Sequence, residues 1–135
     1  MFERLLSPYT EAAYVALRIV SGLTFAFHGV QKLFGVLSDH APPVLSQIWV
    51  GGVIELVAGL LIALGLFTRW AAFLASGTMA VAYTQFHWKL QFDSNFFPAI
   101  NKGELALIYA LLFLFIACRG AGRASLESVV HKRAS

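Results

Sequence analysis

The stretch RIVSGLTFAFHGVQKLFG, Arg18 to Gly35, decides how the rest of the chain is read. It is apolar enough to lie in a bilayer, yet it carries Arg18, His28 and Lys32. A basic side chain at the centre of a bilayer costs roughly 3 kcal/mol or more unless it is paired or close to an interface. The spacing suggests how that cost is avoided. Arg18, Gly22, Phe25, Gly29 and Lys32 follow at steps of four and three, which sets them along one helical stripe. His28 stands one turn before Lys32, on the flank of that stripe. Two glycines on the same stripe let a neighbouring helix approach closely. The helix is expected to turn its charged face inward.

Composition agrees with a membrane protein. Of 135 residues, 59% are hydrophobic and 13% charged, and the mean hydropathy is +0.72. Soluble domains carry about one-quarter charged residues, so this chain falls in the membrane class. The net charge of +3 comes from basic residues scattered at helix ends, with no basic run, which argues against a nucleic-acid surface. A single cysteine, Cys118, rules out an internal disulfide or dithiol pair and reads as a small apolar filler near a helix end. Glu3, Pro8 and Glu11 precede a first apolar run too long for a signal-peptide core, so no cleavable signal is expected.

Taken in order, the chain reads as one domain, 1–135, with four membrane-spanning helices at about 14–34, 48–67, 70–88 and 103–118. Residues 35–47 form a loop broken by Pro42 and Pro43, and a tight Thr68-Arg69 turn makes the second and third helices antiparallel neighbours. Residues 89–102 form a longer aromatic loop. The tail, 119–135, holds glycines and then a short amphipathic helix capped by Ser125. The expected fold is an all-α, up-down-up-down bundle. Arg4, Arg69, Arg119, Arg123, Lys132 and Arg133 then share one side, which the positive-inside rule makes cytoplasmic, together with both termini. A multi-pass protein of the bacterial inner membrane follows.

With that orientation, His28 and Glu55 lie at similar depths in the outer half, roughly 10 Å inside their helix ends. Lys32, His87 and Glu104 reach the same half, while Arg18 sits near the cytoplasmic end and can snorkel to phosphates or helix-end carbonyls. Gly52, Glu55 and Gly59 form a second three-then-four stripe, so Glu55 also faces a small-residue surface. A carboxylate there can pair with Lys32 or His28. Such a pair either fixes helix register or handles protons, and both readings stay open. Gln85 and His87 cannot both face inward, and His87 is the inward choice. A metal site from His28, His87, Glu55 and Glu104 has no compact ligand motif, so no metal is assigned. Phe25, Phe27, Phe34, Phe73 and Phe86 could line a quinone pocket or simply pack.

The paired elements HG-x2-K (His28, Gly29, Lys32) and GG-x2-E-x3-G (Gly51, Gly52, Glu55, Gly59), followed by GAGRASLE (Gly120 to Glu127), resemble the DoxX family of small four-helix bacterial membrane proteins. The likeness runs from about Tyr14 to Glu127 and carries Arg18, Gly22, His28, Gly29, Lys32, Gly52, Glu55, Gly59 and Glu104. The family is named for a small membrane subunit associated with thiosulfate:quinone oxidoreductase, and other members look like partners of soluble redox proteins. The resemblance therefore implies a membrane oxidoreductase subunit linked to a quinone or a small substrate. It supplies no settled mechanism. With no haem, flavin or iron–sulfur motif in the chain, an electron carrier would be a quinone or belong to a partner. Two other readings remain: a non-catalytic anchor for redox proteins, and a pathway for protons or small solutes.

Overall fold

The computed structural model of the protein describes residues 1–134 and contains no strand among them. Ser135, the last residue of the expected tail, lies outside the described residues. A short helix α1 (Phe2–Leu6) and a 3₁₀ turn containing Pro8 lead into α2 (Thr10–Phe34). Three more long helices follow: α3 (Gln47–Leu64), α4 (Thr68–Ala82) and α6 (Glu104–Arg119). A short α5 (Pro98–Asn101) precedes α6, and α7 (Leu126–Ala134) closes the described chain. By length and composition, two continuous helical runs, Phe2–Phe34 and Gln47–Leu64, are able to cross a membrane.

The helix limits follow local chemistry. Gly35 ends α2 in the left-handed region at φ 64°, and Gly65 ends α3 the same way at φ 68°, a conformation glycine adopts without steric cost. Gly65 moves the helix boundary away from the place the apolar run suggests. The turn between α3 and α4 is Gly65-Leu66-Phe67, and Thr68 and Arg69 already belong to α4. Beyond Ala82 the helix widens into π pitch over Tyr83–Trp88 rather than continuing as α. Ser125 caps α7 as expected, accepting from the Ser128 amide at 3.2 Å.

The long helices pack in chain order, α2 on α3, α3 on α4 and α4 on α6. Along α2 and α3 the contacts run in opposite directions, Gly22 against Gly59 and Gly29 against Gly52. These glycines set the spacing of the pair. A Cβ on Gly22 would stand 2.7 Å from the Gly59 carbonyl oxygen, and one on Gly59 2.6 Å from that of Gly22. Alanines 58, 71, 72, 75, 106 and 110 fill the remaining seams. The bundle closes between α2 and α6 through Phe25, Tyr109 and Phe113, with the last two rings parallel at 5.2 Å. Large apolar side chains point out of the bundle instead, among them Leu23, Val57, Phe73, Ile108, Leu111 and Phe115. Small residues at the helix seams and large apolar ones on the outer surface are the arrangement of a bundle solvated by lipid.

Both chain ends meet at one end of the bundle. There Arg18, 1% exposed, donates to the Ala121 carbonyl and to that of Ala124 at 2.7 Å. The carbonyls that hold it belong mainly to the loop between α6 and α7, with the helix-end carbonyl of Ala63 at 3.5 Å, and burial keeps it from phosphates. Arg69 caps α6 through the Ala117 carbonyl at 3.0 Å and those of Cys118 and Arg119. Arg119 pairs with Glu11 and lies 3.8 Å over the Tyr14 ring. Glu127 accepts from the Thr68 amide at 2.7 Å, pinning the tail across the α3–α4 turn. Cys118 is exposed at the end of α6 rather than packed as filler.

Candidate functional site

At the opposite end, the far end, α2 and α3 bring Lys32 and Glu55 together, Nζ to Oε1 at 2.5 Å. The glycine contacts explain why. Gly29 and Gly52 let the helices close up, and a Cβ on Gly52 would stand 2.9 Å from the Lys32 Cβ. Glu55 is 2% exposed and Lys32 35%, so one charge is buried and the other reaches the bundle surface. The second carboxylate oxygen, Oε2, is buried and has no hydrogen-bond partner. An acceptor left unsatisfied in an apolar interior costs about 1–3 kcal/mol, and more when charged. Such a group calls for a partner, whether an ordered water, an ion or a ligand.

Space adjoins it on two sides. A cavity of about 230 Å³ lies between α2, α3, α4 and α6, lined by His28, Lys32, Glu55, His87, Lys102 and Tyr109 among others. A groove of about 460 Å³ between α3 and α4 shares Lys32, Glu55 and His87 and is walled by Ile54, Val81 and Phe86. Together they have the size and the apolar walls of a small-molecule site. A third hollow, beneath the 35–46 loop, is lined by His28, Lys32 and Asp39. Lys32 borders all three.

His87 is placed by the loop that follows it. Its Nδ1 lies 3.2 Å from the Asn101 carbonyl oxygen. Asn101 is buried, donates to the Asn95 carbonyl at 2.9 Å and accepts from the Gly103 amide at 2.8 Å. Asn95 in turn donates to the carbonyls of His87 and Trp88. The two asparagines thus satisfy the end of the π segment and hold the imidazole at the cavity. Gly103 is required here, since a Cβ would meet His87, Tyr83 and Asn101 atoms at 2.7 Å. Gln85 faces away and accepts from Gln47 at 2.6 Å.

Of the sequence candidates, His28, Lys32, Glu55 and His87 line one cavity, with His28 edge-on to Tyr109. Glu104 is exposed in the first turn of α6 and is not among the cavity residues. Among the described residues, no three His, Cys, Asp or Glu side chains gather as a metal-ligand set. Phe25 lines the inner cavity and Phe86 the groove, while Phe27, Phe34 and Phe73 are exposed. Tyr109, Lys102, Asn95 and Asn101 were not singled out from the sequence. Tyr109 sits in an unbroken apolar helix where aromatic residues ordinarily pack, so no local signal marked it.

The glycine, lysine and glutamate elements of α2 and α3 fall within residues 13–88, which the DoxX family model matches. The chain belongs to the DoxX family. That family is membrane-associated, which accords with the two membrane-length helices and the lipid-facing apolar surface. An uncharacterized protein of Haemophilus influenzae is 40% identical over 127 residues, covering 87% of this chain and 90% of that one. A second uncharacterized protein of the same organism is 31% identical over 78 residues, covering 58% of this DoxX chain and 49% of the relative. No solved structure matches.

Proposed function

We propose that this DoxX protein is the membrane subunit of a redox system, presenting a quinone-class or similarly small oxidisable ligand in the outer half of a four-span bundle. The observation that carries the reading is Glu55 Oε2, buried and without a partner beside two adjoining cavities. A buried ion pair holds its place only when the remaining lone pairs are satisfied as well, and here a ligand in the adjoining space would do so. The groove between α3 and α4 opens on the apolar flank of the bundle, past Val50, Val81 and Phe86. That route suits a ligand dissolved in lipid. In this reading Glu55 and His28 handle protons and Lys32 holds a ligand oxygen. The chain itself has no redox centre motif, so electrons pass between ligand and a partner protein.

Four spans and cytoplasmic termini belong to the same reading. The run from Thr68 to Trp88 is long enough, at about 1.5 Å per residue, to cross a core of about 30 Å. α6, with 16 residues, is shorter, and a short span is accommodated by local bilayer thinning or snorkelling flanks. Both carry outward apolar faces, Phe73, Leu74 and Val81 on α4 and Leu105, Leu111 and Leu114 on α6. The basic residues Arg69, Arg119 and Arg123 at the termini end favour the bacterial cytoplasm on that side.

The test is extraction and mass spectrometry of small molecules from gently purified protein, wild type beside Glu55→Gln. A quinone or other small redox metabolite retained by the wild type and lost from the variant is expected. Empty protein in both, with only the variant's melting temperature lowered, would shift the assignment to an anchor for redox proteins.

A further inference from the structure

Most of the glycines in this chain have a local reason. Close helix packing requires some, such as Gly29 and Gly52, and a left-handed backbone requires others, such as Gly65. Gly51 on α3 and Gly77 on α4 have neither reason. A Cβ at either position would meet nothing within 4 Å beyond its own helix backbone. Both lie inside their helices, where glycine is less stable than alanine because it gives up more backbone freedom on folding. In membrane helices the close approach of a neighbouring helix ordinarily offsets that loss. No neighbour approaches these two.

They have one feature in common, which is that both line the groove between α3 and α4. The tight turn at Gly65-Leu66-Phe67 makes these helices antiparallel, and Gly77 stands as far beyond Leu66 along the chain as Glu55 stands before it. Gly77 therefore lies at about the depth of Glu55. Gly51 is one turn from Glu55 on the same face of α3, toward Gln47. Gln47 donates to Gln85 at 2.6 Å and ties α3 to the π segment at the far end. The open side of the groove is its flank, past the exposed Val50 and Val81. A side chain at 51 or 77 would stand in that opening. Glu55, 2% exposed and with Oε2 unpartnered, lines the same groove.

We infer that Gly51 and Gly77 are specificity-determining residues: by presenting no side chain they keep the α3–α4 groove wide enough for a ligand with a polar head and a broad apolar body, which enters from lipid and reaches Glu55. The inference rests on the quinone-class reading above and adds the two residues that set the width of the ligand's path. The open groove is kept at the expense of helix stability, so binding and stability should respond in opposite directions when it is narrowed.

Calorimetric titration of the full-length detergent-purified protein with a decyl-substituted benzoquinone tests this, with the melting temperature of each variant measured alongside. Gly77→Ala is expected to hold or raise the melting temperature while weakening probe binding a few-fold. Gly77→Leu is expected to weaken binding at least about tenfold without loss of the fold, and Gly51→Leu to do so less, being farther from Glu55. A glycine needed only for packing would give the other pattern, with binding and melting temperature falling together, so a lower melting temperature in Gly77→Ala would overturn the inference. Wild-type affinity in both leucine variants would overturn it too, while leaving a quinone-class site standing. A wild-type dimer that Gly77→Leu separates, with probe affinity unchanged, would assign the groove to a second copy of the chain and overturn it as well. Should a leucine variant fold poorly, the alanine variant decides. No binding of the probe by the wild type would overturn both the inference and the reading beneath it.

Discussion

The two ends of this bundle are built from similar materials and are finished differently. At the termini end, Arg18 and Arg69 donate to carbonyls at helix and loop ends, Arg119 pairs with Glu11, and Glu127 caps across the α3–α4 turn. Each of these charges closes a contact between elements distant in sequence. At the far end, Lys32 and Glu55 make one contact and leave a buried oxygen open beside empty volume. Helix packing does not account for the difference, since the same α2–α3 glycine seam runs from Gly22 to Gly52. Buried atoms without a partner occur at both ends, Arg18 Nε and Thr68 Oγ1 at one and Glu55 Oε2 at the other, but it is Glu55 that lines the cavity and the groove.

That contrast can be broken by substitution, and the largest effect is expected at the far end. Lys32→Met leaves the Glu55 carboxylate buried with no counter-charge, and should lower stability in detergent by about 3–5 kcal/mol, measured by denaturant unfolding. Glu55→Gln removes the buried charge instead, and leaves Lys32 free to turn to water, so its cost should be clearly smaller. Equal costs would mean that the pair is solvated and the asymmetry of burial is without consequence.

Arg18→Met should come next, at about 3 kcal/mol, because it strips donors from the Ala121 and Ala124 carbonyls and unpins the tail. Its readout sharpens the comparison. Unfolding should be easier, yet the folded fraction should retain the same small molecules as the wild type. If Arg18→Met empties the far-end site while the bundle stays folded, the two ends are coupled and the division drawn here fails. The smallest effect is expected for Glu104→Gln, which should alter stability by less than about 0.5 kcal/mol and leave ligand retention unchanged. A loss of ligand in that variant would place Glu104 back in the site.

Much of the α2–α3 seam was legible in the sequence. Period-based spacing placed Arg18, Gly22, Gly29 and Lys32 on one face, and Gly52, Glu55 and Gly59 on another, because a helix repeats every 3.6 residues whatever surrounds it. Boundaries were harder. Gly65 carried a stop signal that the longer apolar run concealed, and the widening at Tyr83–Trp88 has no signature in hydropathy at all. The position of His87 depends on Asn95 and Asn101, whose bonds are set by the path of the loop. Glu104 was placed by depth and by the family resemblance, and neither says on which side of a helix a residue stands.

The sequence by itself determined an apolar helical chain with its basic residues at helix ends, and it determined which faces of α2 and α3 meet. Those are consequences of composition and of local periodicity. The tertiary structure alone decided that Arg18 is held by tail carbonyls, that Tyr109 and His87 join the Lys32–Glu55 pair, and that one oxygen of Glu55 is left open. Each of these depends on where a second or third helix ends up, and hydrogen-bond satisfaction is a property of the completed packing rather than of any one segment.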